Sequence, residues 1–278
     1  MMPALRTPTV ASSAMRVFDL SLSQMLWSRR SLLVAFLAGG PVALAAALRV
    51  VSVLHASGFK VNGAQATGSM VFGLMIWLLY IRFMVPVLGV FYGTALIADE
   101  VDDKTITYLF TRPIPRRAVL FGKYLAYLVC TILIVLPSVM LVYFLIVPTF
   151  GSTIAGEFPS LLRDLGMLAI GLAAYGGVFA LVGARLKRPL IVGLVFAFGW
   201  EPAVLLFPGY MKRLTVAYYL QALVTHEMPQ DSAVAILTQV FREVPSVLTS
   251  LVALALIVAL TLWLAGRAIE QREYVLEQ

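Results

Sequence analysis

Residues 124–156, YLAYLVCTILIVLPSVMLVYFLIVPTFGSTIAG, contain no acidic or basic side chain. A helix that crosses a bilayer needs about 20 consecutive apolar residues, and this run is longer. Charge-free runs recur along the chain at 31–48, 61–81, 83–98, 165–184, 189–200, 202–211 and 244–266. Allowing for connections, they predict an all-α integral membrane protein. Six transmembrane helices are expected at about 31–54, 72–98, 119–148, 161–184, 189–207 and 245–267, within a single membrane domain spanning 1–278. Pro202 and Pro208 interrupt the fifth of these.

Composition points the same way. Of 278 residues, 61% are hydrophobic and 13% charged, the latter about half the usual share for a soluble chain. Mean hydropathy is +0.93. These values exclude a soluble enzyme, a disordered tail and a coiled coil. The single cysteine, Cys130, excludes an intrachain disulfide and a thiolate metal cage. Ala43-Leu44-Ala45 resembles a signal-peptide cleavage site, but the apolar stretch around it is too long and begins too late for one.

The net charge of +7 is read as a membrane property, not as a nucleic-acid footprint. Basic residues collect on the cytoplasmic side and near anionic lipid headgroups. With a cytoplasmic N-terminus, that side receives Arg6, Arg16, Arg29, Arg30, Lys104, Arg112, Arg116, Arg117, Lys123, Arg185, Lys187, Arg188, Arg267 and Arg272. The outer side receives Arg49, Lys60, Arg163, Lys212, Arg213 and Arg242. Both termini are therefore expected inside, as an even helix count requires.

Several features flank the spans. Within 14–30, Met15, Phe18, Leu22, Met25 and Leu26 recur at three and four residues beside polar Arg16, Asp19 and Ser23. This predicts an amphipathic helix lying in the inner interface; the plainer alternative is an extension of the first span. Gly39/Ala43/Ala47, Gly89/Gly93 and Ala173/Gly177 are small residues at four-residue spacing, which lets helices approach closely. Pro137 is expected to kink the third span. Residues 208–244 form the longest outer connection. Open coil there would leave backbone groups unsatisfied in lipid, so a helical re-entrant or interfacial segment is expected.

The informative connection is Asp99 to Lys123, DEVDDKTITYLFTRPIPRRAVLFGK. It is expected on the cytoplasmic side, between the second and third spans. Asp99, Asp102 and Asp103 suit a helix start. Ile106, Leu109 and Phe110 share a helical face, and Pro113 and Pro115 end the helix. An apolar stripe with charged flanks suggests a docking surface. A loop with no partner is the alternative.

Asp99-Glu100, Lys104-Thr105-Ile106, Tyr108-Leu109-Phe110-Thr111-Arg112-Pro113-Ile114, Arg116 and Gly122-Lys123 resemble the signature of ABC-2 type transporter permeases. Lys104 stands where the family usually has Gly. Six spans, inside termini and an N-terminal amphipathic helix also match, so the resemblance covers nearly the whole chain. It implies a coupling helix within 99–117 that docks on a separate ATP-binding subunit through Asp99, Glu100, Asp102, Asp103, Thr105, Ile106, Tyr108, Leu109, Phe110, Arg112, Pro113 and Arg116. It also implies two permeases, as second copy or paralogue, with two ATPases in a bacterial-type inner membrane. ATP and Mg are expected in the ATPase, with none bound directly by this chain. The expected function is export of an unidentified substrate, with 201–243 resembling the family's re-entrant gate.

The absences agree with a partner ATPase. No G-x-x-x-x-G-K-[ST] loop is present: Tyr124 follows Gly122-Lys123, and Arg117 stands where the first Gly belongs. No H-E-x-x-H or G-x-S-x-G occurs either, so no catalytic residue is assigned. Two isolated charges are candidates for a gate or substrate path. Arg82 is a charge within a span; counting back 20 residues from Ile97 sets it about one turn below the outer surface, where it can also snorkel. Glu201 follows Trp200 near the end of the fifth helix, and its other reading is pairing with Lys212 or Arg213. Two further function classes stay open. One is a membrane subunit passing ATPase motion to a periplasmic maturation partner, as family members do in nitrous-oxide reductase assembly. The other is a lipid-modifying membrane enzyme, for which Asp99, Glu100, Asp102 and Asp103 are the only acidic cluster.

Overall fold

A computed structural model describes residues 10–27, 29–54, 60–61, 64–65, 67–102, 116–206, 210–224 and 245–271. Helix α1 is Val10–Leu26 and α2 is Arg29–Leu54. A two-residue antiparallel pair, Lys60–Val61 with Ala64–Gln65, precedes α3, Gly68–Ala98. Helix α4 is Arg116–Ile146 and α5 is Ile154–Arg185. Helix α6, Pro189–Leu206, leads to a short α7, Val216–Gln221, and then to α8, Val247–Gln271.

Among the described residues, five helices are long and apolar enough to cross a membrane: Val34–Leu54, α3, Arg116–Phe150, α5 and α8. The expected fifth span, 189–207, corresponds to α6, whose helical backbone is described to Leu206. At 1.5 Å per residue α6 reaches about 27 Å, against about 30 Å of hydrocarbon. Its backbone also widens into a π-helical turn at Phe196–Trp200. Two such segments, Ile76–Met84 and Gly89–Gly93, interrupt α3. Helix α4 is helical straight through Pro137.

Two sequence expectations are revised. Asp99 and Asp102 do not open a new helix: the helical backbone of the second span runs on through Thr94–Asp102. Nothing between Ile97 and Asp102 breaks a helix, and extending one costs less than nucleating another. Gly39, Ala43 and Ala47 face out of the chain, and a Cβ on Gly39 would meet nothing within 4 Å. The small residues that α2 buries are Ala38 and Ala45 instead.

Close approach is used elsewhere. A Cβ at Gly89 would lie 2.7 Å from Tyr175 Cβ, and one at Gly93 would lie 2.8 Å from Phe179 Cβ. These contacts seat α3 on α5. From the other side, a Cβ at Gly183 would lie 2.3 Å from the Thr94 carbonyl oxygen. Around this seam the core holds the fully buried Tyr80, Tyr127, Tyr143, Tyr175, Phe72 and Phe179. Their hydroxyls are satisfied: Tyr127 donates to Leu172 O at 2.8 Å and Tyr143 to Ile154 O at 2.5 Å. Tyr80 and Ser138 share a 2.7 Å hydrogen bond, and Ser138 donates to Ala38 O at 2.6 Å, tying α2, α3 and α4 together. Buried Thr94 and Thr131 return their hydroxyls to their own helices at Val90 O and Tyr127 O.

Helix α1 is separate from α2 and lies along α4. A Cβ at Gly122 would lie 2.5 Å from Ala14 O, so that glycine admits the α1 backbone. Ser13, Ala14 and Ser21 form the buried face of α1, while Met15 and Leu20 stay exposed. Helices α2 and α8 carry exposed Leu32, Phe36, Leu248 and Leu256, the surface an apolar solvent requires.

The seam is testable within one helix. Gly183→Ala places a methyl group against backbone, and overpacking costs about 1–3 kcal/mol, more than the roughly 1 kcal/mol that Ala gains over Gly in a helix. Gly166→Ala meets nothing within 4 Å and keeps that gain. Apparent Tm in detergent should fall for Gly183→Ala and hold or rise for Gly166→Ala. Equal responses would contradict the seam.

Candidate functional site

The densest polar arrangement among the described residues centres on Glu201. Its carboxylate is buried, with 2% of the residue exposed. A lone buried carboxylate is costly, so it must be hydrogen-bonded. Tyr175 of α5 donates its hydroxyl to Oε2 in a short hydrogen bond. The backbone N–H of Val216 donates to Oε1 at 3.0 Å, and the adjacent N–H of Ala217 adds a favourable electrostatic influence on the carboxylate.

The two backbone N–H groups have a local cause. Val216 and Ala217 open α7, and the first N–H groups of any helix have no partner within it. Thr215 is the N-cap residue, but its side chain makes no capping bond; its hydroxyl donates to Lys212 O at 2.8 Å. Glu201, 15 residues upstream, supplies the missing acceptor, and its negative charge suits the positive end of the helix dipole. One carboxylate thus joins α5, α6 and α7.

Arg82 completes the arrangement. Its positive charge acts on both Glu201 and the Tyr175 hydroxyl. The guanidinium carbon stands 5.3 Å from the Trp77 ring centroid, within cation–π range. Because α3 begins at Gly68, Arg82 lies about 21 Å along the helix from its start. The estimate of one turn below the outer surface counted only 20 residues, whereas α3 spans 31. The cation acting on Glu201 is therefore Arg82, from another helix. Arg213 instead lies over the Tyr210 ring at 4.6 Å, and Lys212 is buried in the same turn. Aromatic packing surrounds the group: Tyr175 stacks on Phe179, and Phe179 meets Phe196 edge-on.

Arg82 and Glu201, separate in sequence, are thus brought together. Tyr175 and the α7 N-terminus were missed. A hydroxyl-bearing aromatic flanked by Ala174 and Gly176 in an apolar span was the available signal for Tyr175. Nothing in sequence marks a backbone N–H as the partner of a residue 15 positions away.

The predicted docking residues are placed only at their edges. Asp99, Glu100 and Asp102 lie on the last turns of the helix extending α3. Arg116 is the first residue of α4, and its Nη1 donates to Ile269 O at 3.3 Å and Glu270 O at 3.5 Å. Asp103, Lys104, Thr105, Ile106, Tyr108, Leu109, Phe110, Arg112 and Pro113 lie outside the described residues. So do 225–244 of the expected outer segment.

A family model described as ABC-2 family transporter protein matches residues 13–269. The match covers nearly the whole chain, which therefore belongs to the ABC-2 transporter family. It is an integral, multi-pass membrane protein, the membrane subunit of an ABC transporter, and its family implies partnership with an ABC ATP-binding subunit. No curated protein matches the chain.

Glu201 can be tested by contrast. Glu201→Ala orphans two buried donors, the Tyr175 hydroxyl and the Val216 N–H, each costing about 1–3 kcal/mol. Glu201→Gln keeps an acceptor oxygen for part of them. Apparent Tm in detergent should fall clearly for the Ala variant and less for the Gln variant, with faster proteolysis near 210–224 only in the former. Wild-type behaviour of Glu201→Ala would remove the anchoring role.

Proposed function

We propose that this chain is the permease subunit of an exporter, driven by ATP hydrolysis in a separate subunit that docks on residues 99–117. Family membership across residues 13–269 carries this reading. The apolar helices supply a membrane path, and the chain has no phosphate loop of its own. Energy must then enter through contact with a partner. The 99–123 segment has the makings of that contact: an apolar stripe of Ile106, Leu109 and Phe110 between acidic and basic flanks.

In this reading α6 crosses the membrane as the fifth of six spans. Both termini are cytoplasmic, and α1 lies at the inner interface with Met15 and Leu20 toward lipid. The outer segment after α6 folds back as a gate, fastened by Glu201 to Tyr175. Arg82 contributes charge beneath it. Two such permeases, identical or paralogous, work with two ATPases, which hold the ATP and Mg.

The docking segment decides the matter. Co-expression with the ATPase encoded beside this gene should yield a complex stable in detergent. Ile106→Asp with Leu109→Asp buries two carboxylates in an apolar contact, costing several kcal/mol. The double variant should lose co-purification or lower ATP hydrolysis at least tenfold. An intact complex with unchanged hydrolysis would contradict docking through 99–117.

A further inference from the structure

At the last residues of the segment proposed to dock the ATPase, the start of α4 is fastened to α8 near Glu270. Arg116 Nη1 donates to the carbonyls of Ile269 and Glu270. Both carbonyls lie in the last described turn of α8, and a cation beside helix carbonyls is electrostatically favoured. Arg117 Nη2 donates to Glu270 Oε2 at 2.6 Å, and its Nε stands 2.6 Å from Oε1 without hydrogen-bond alignment. The Arg117 stem lies over Gly266, where a Cβ would be 3.5 Å from Arg117 Cγ. Two adjacent arginines thus hold α8 by its backbone and by a side chain.

The rest of α8 is attached differently. Its outer half exposes Val247, Leu248, Val252 and Leu256. Farther in, it meets α5 where a Cβ at Gly177 would lie 2.7 Å from Thr261 Oγ1. Beside the arginines, Ala265, Ala268 and Ile269 are buried. The inner end of α8 is therefore the end fixed to α4, and α4 begins with the last residues of the docking segment.

We infer that the Arg116–Arg117/Glu270 clamp carries displacement of the 99–117 segment into α8, making Arg117 and Glu270 positioning residues for the transport cycle. This rests on the proposed docking of an ATPase at that segment. Stability is not the role it predicts, because the Arg117–Glu270 pair is about two-fifths exposed and such pairs contribute little to folding. A two-point grip on a helix instead fixes direction, so rotation or translation of the α4 base must move α8 with it. Demonstrating such coupling requires a readout at the far end of α8.

The experiment uses the full chain in complex with its ATPase, reconstituted in vesicles. Leu248→Cys, at the exposed outer end of α8, carries a bimane label; Cys130 is buried and stays unlabelled. Trapping with ATP and vanadate should shift bimane emission in the otherwise wild-type chain. Arg117→Ala and Glu270→Gln should each lose at least half of that shift, and Glu270→Gln, outside the docking segment, should do so with the ATPase still co-purifying. The swap of Arg117→Glu with Glu270→Arg should recover it. A full shift in both single variants overturns the clamp and leaves the docking reading standing. A wild-type complex that shows no shift, or no complex at all, overturns the docking reading and the clamp with it.

Discussion

Helix association in a bilayer gains little from the hydrophobic effect, because lipid tails are as apolar as leucine. What remains is van der Waals contact and hydrogen bonding, and both depend on how closely backbones approach. Here the approach is set along α5. Gly89 and Gly93 let α3 rest on its Tyr175–Phe179 face, Gly183 receives the Thr94 carbonyl, and Gly177 receives Thr261 of α8. With α3 and α8 seated on α5, the other polar contacts come within reach. Tyr127 of α4 bonds Leu172 O, and Tyr175 bonds Glu201.

The same close packing explains why polar groups sit where they do. Hydroxyls of Tyr80, Tyr127, Tyr143 and Tyr175 each bridge to another helix or helix end, so each costs little to bury. Glu201 is the extreme case. It is tolerated because α7 brings two free N–H groups, α5 brings a hydroxyl and α3 brings the charge of Arg82. Elsewhere in the bundle, Arg116 donates to the Ile269 and Glu270 carbonyls of α8. In both places a charged side chain meets backbone groups of another helix.

The spans were legible because lipid demands long charge-free runs, and 124–156 or 244–266 admit no other reading. Their ends were less so. Asp99 and Asp102 look like helix-starting residues, yet the helix already under way runs through them. Gly89 and Gly93 were correctly read as an approach site, whereas Gly39, Ala43 and Ala47 have the same spacing and face outward. Spacing reports what a face permits, not which neighbour uses it. At the candidate site, Arg82 and Glu201 stood out as charges in apolar surroundings. Their meeting depends on tertiary packing of α3, α5 and α6. Gly122, part of the motif that carried the family resemblance, has a plain steric role: it admits Ala14 of α1.

The proposed topology turns on α6, short and widened at Phe196–Trp200, because only its crossing puts the Glu201-anchored segment on the side opposite the docking loop. Substituted-cysteine labelling in intact cells tests this most directly. Lys187→Cys precedes α6, and Tyr210→Cys follows it at a residue 78% exposed. A membrane-impermeant maleimide should label position 210 in intact cells and position 187 only after permeabilisation. Labelling of both positions from the same side would mean that α6 does not cross, and the six-span permease would have to be redrawn.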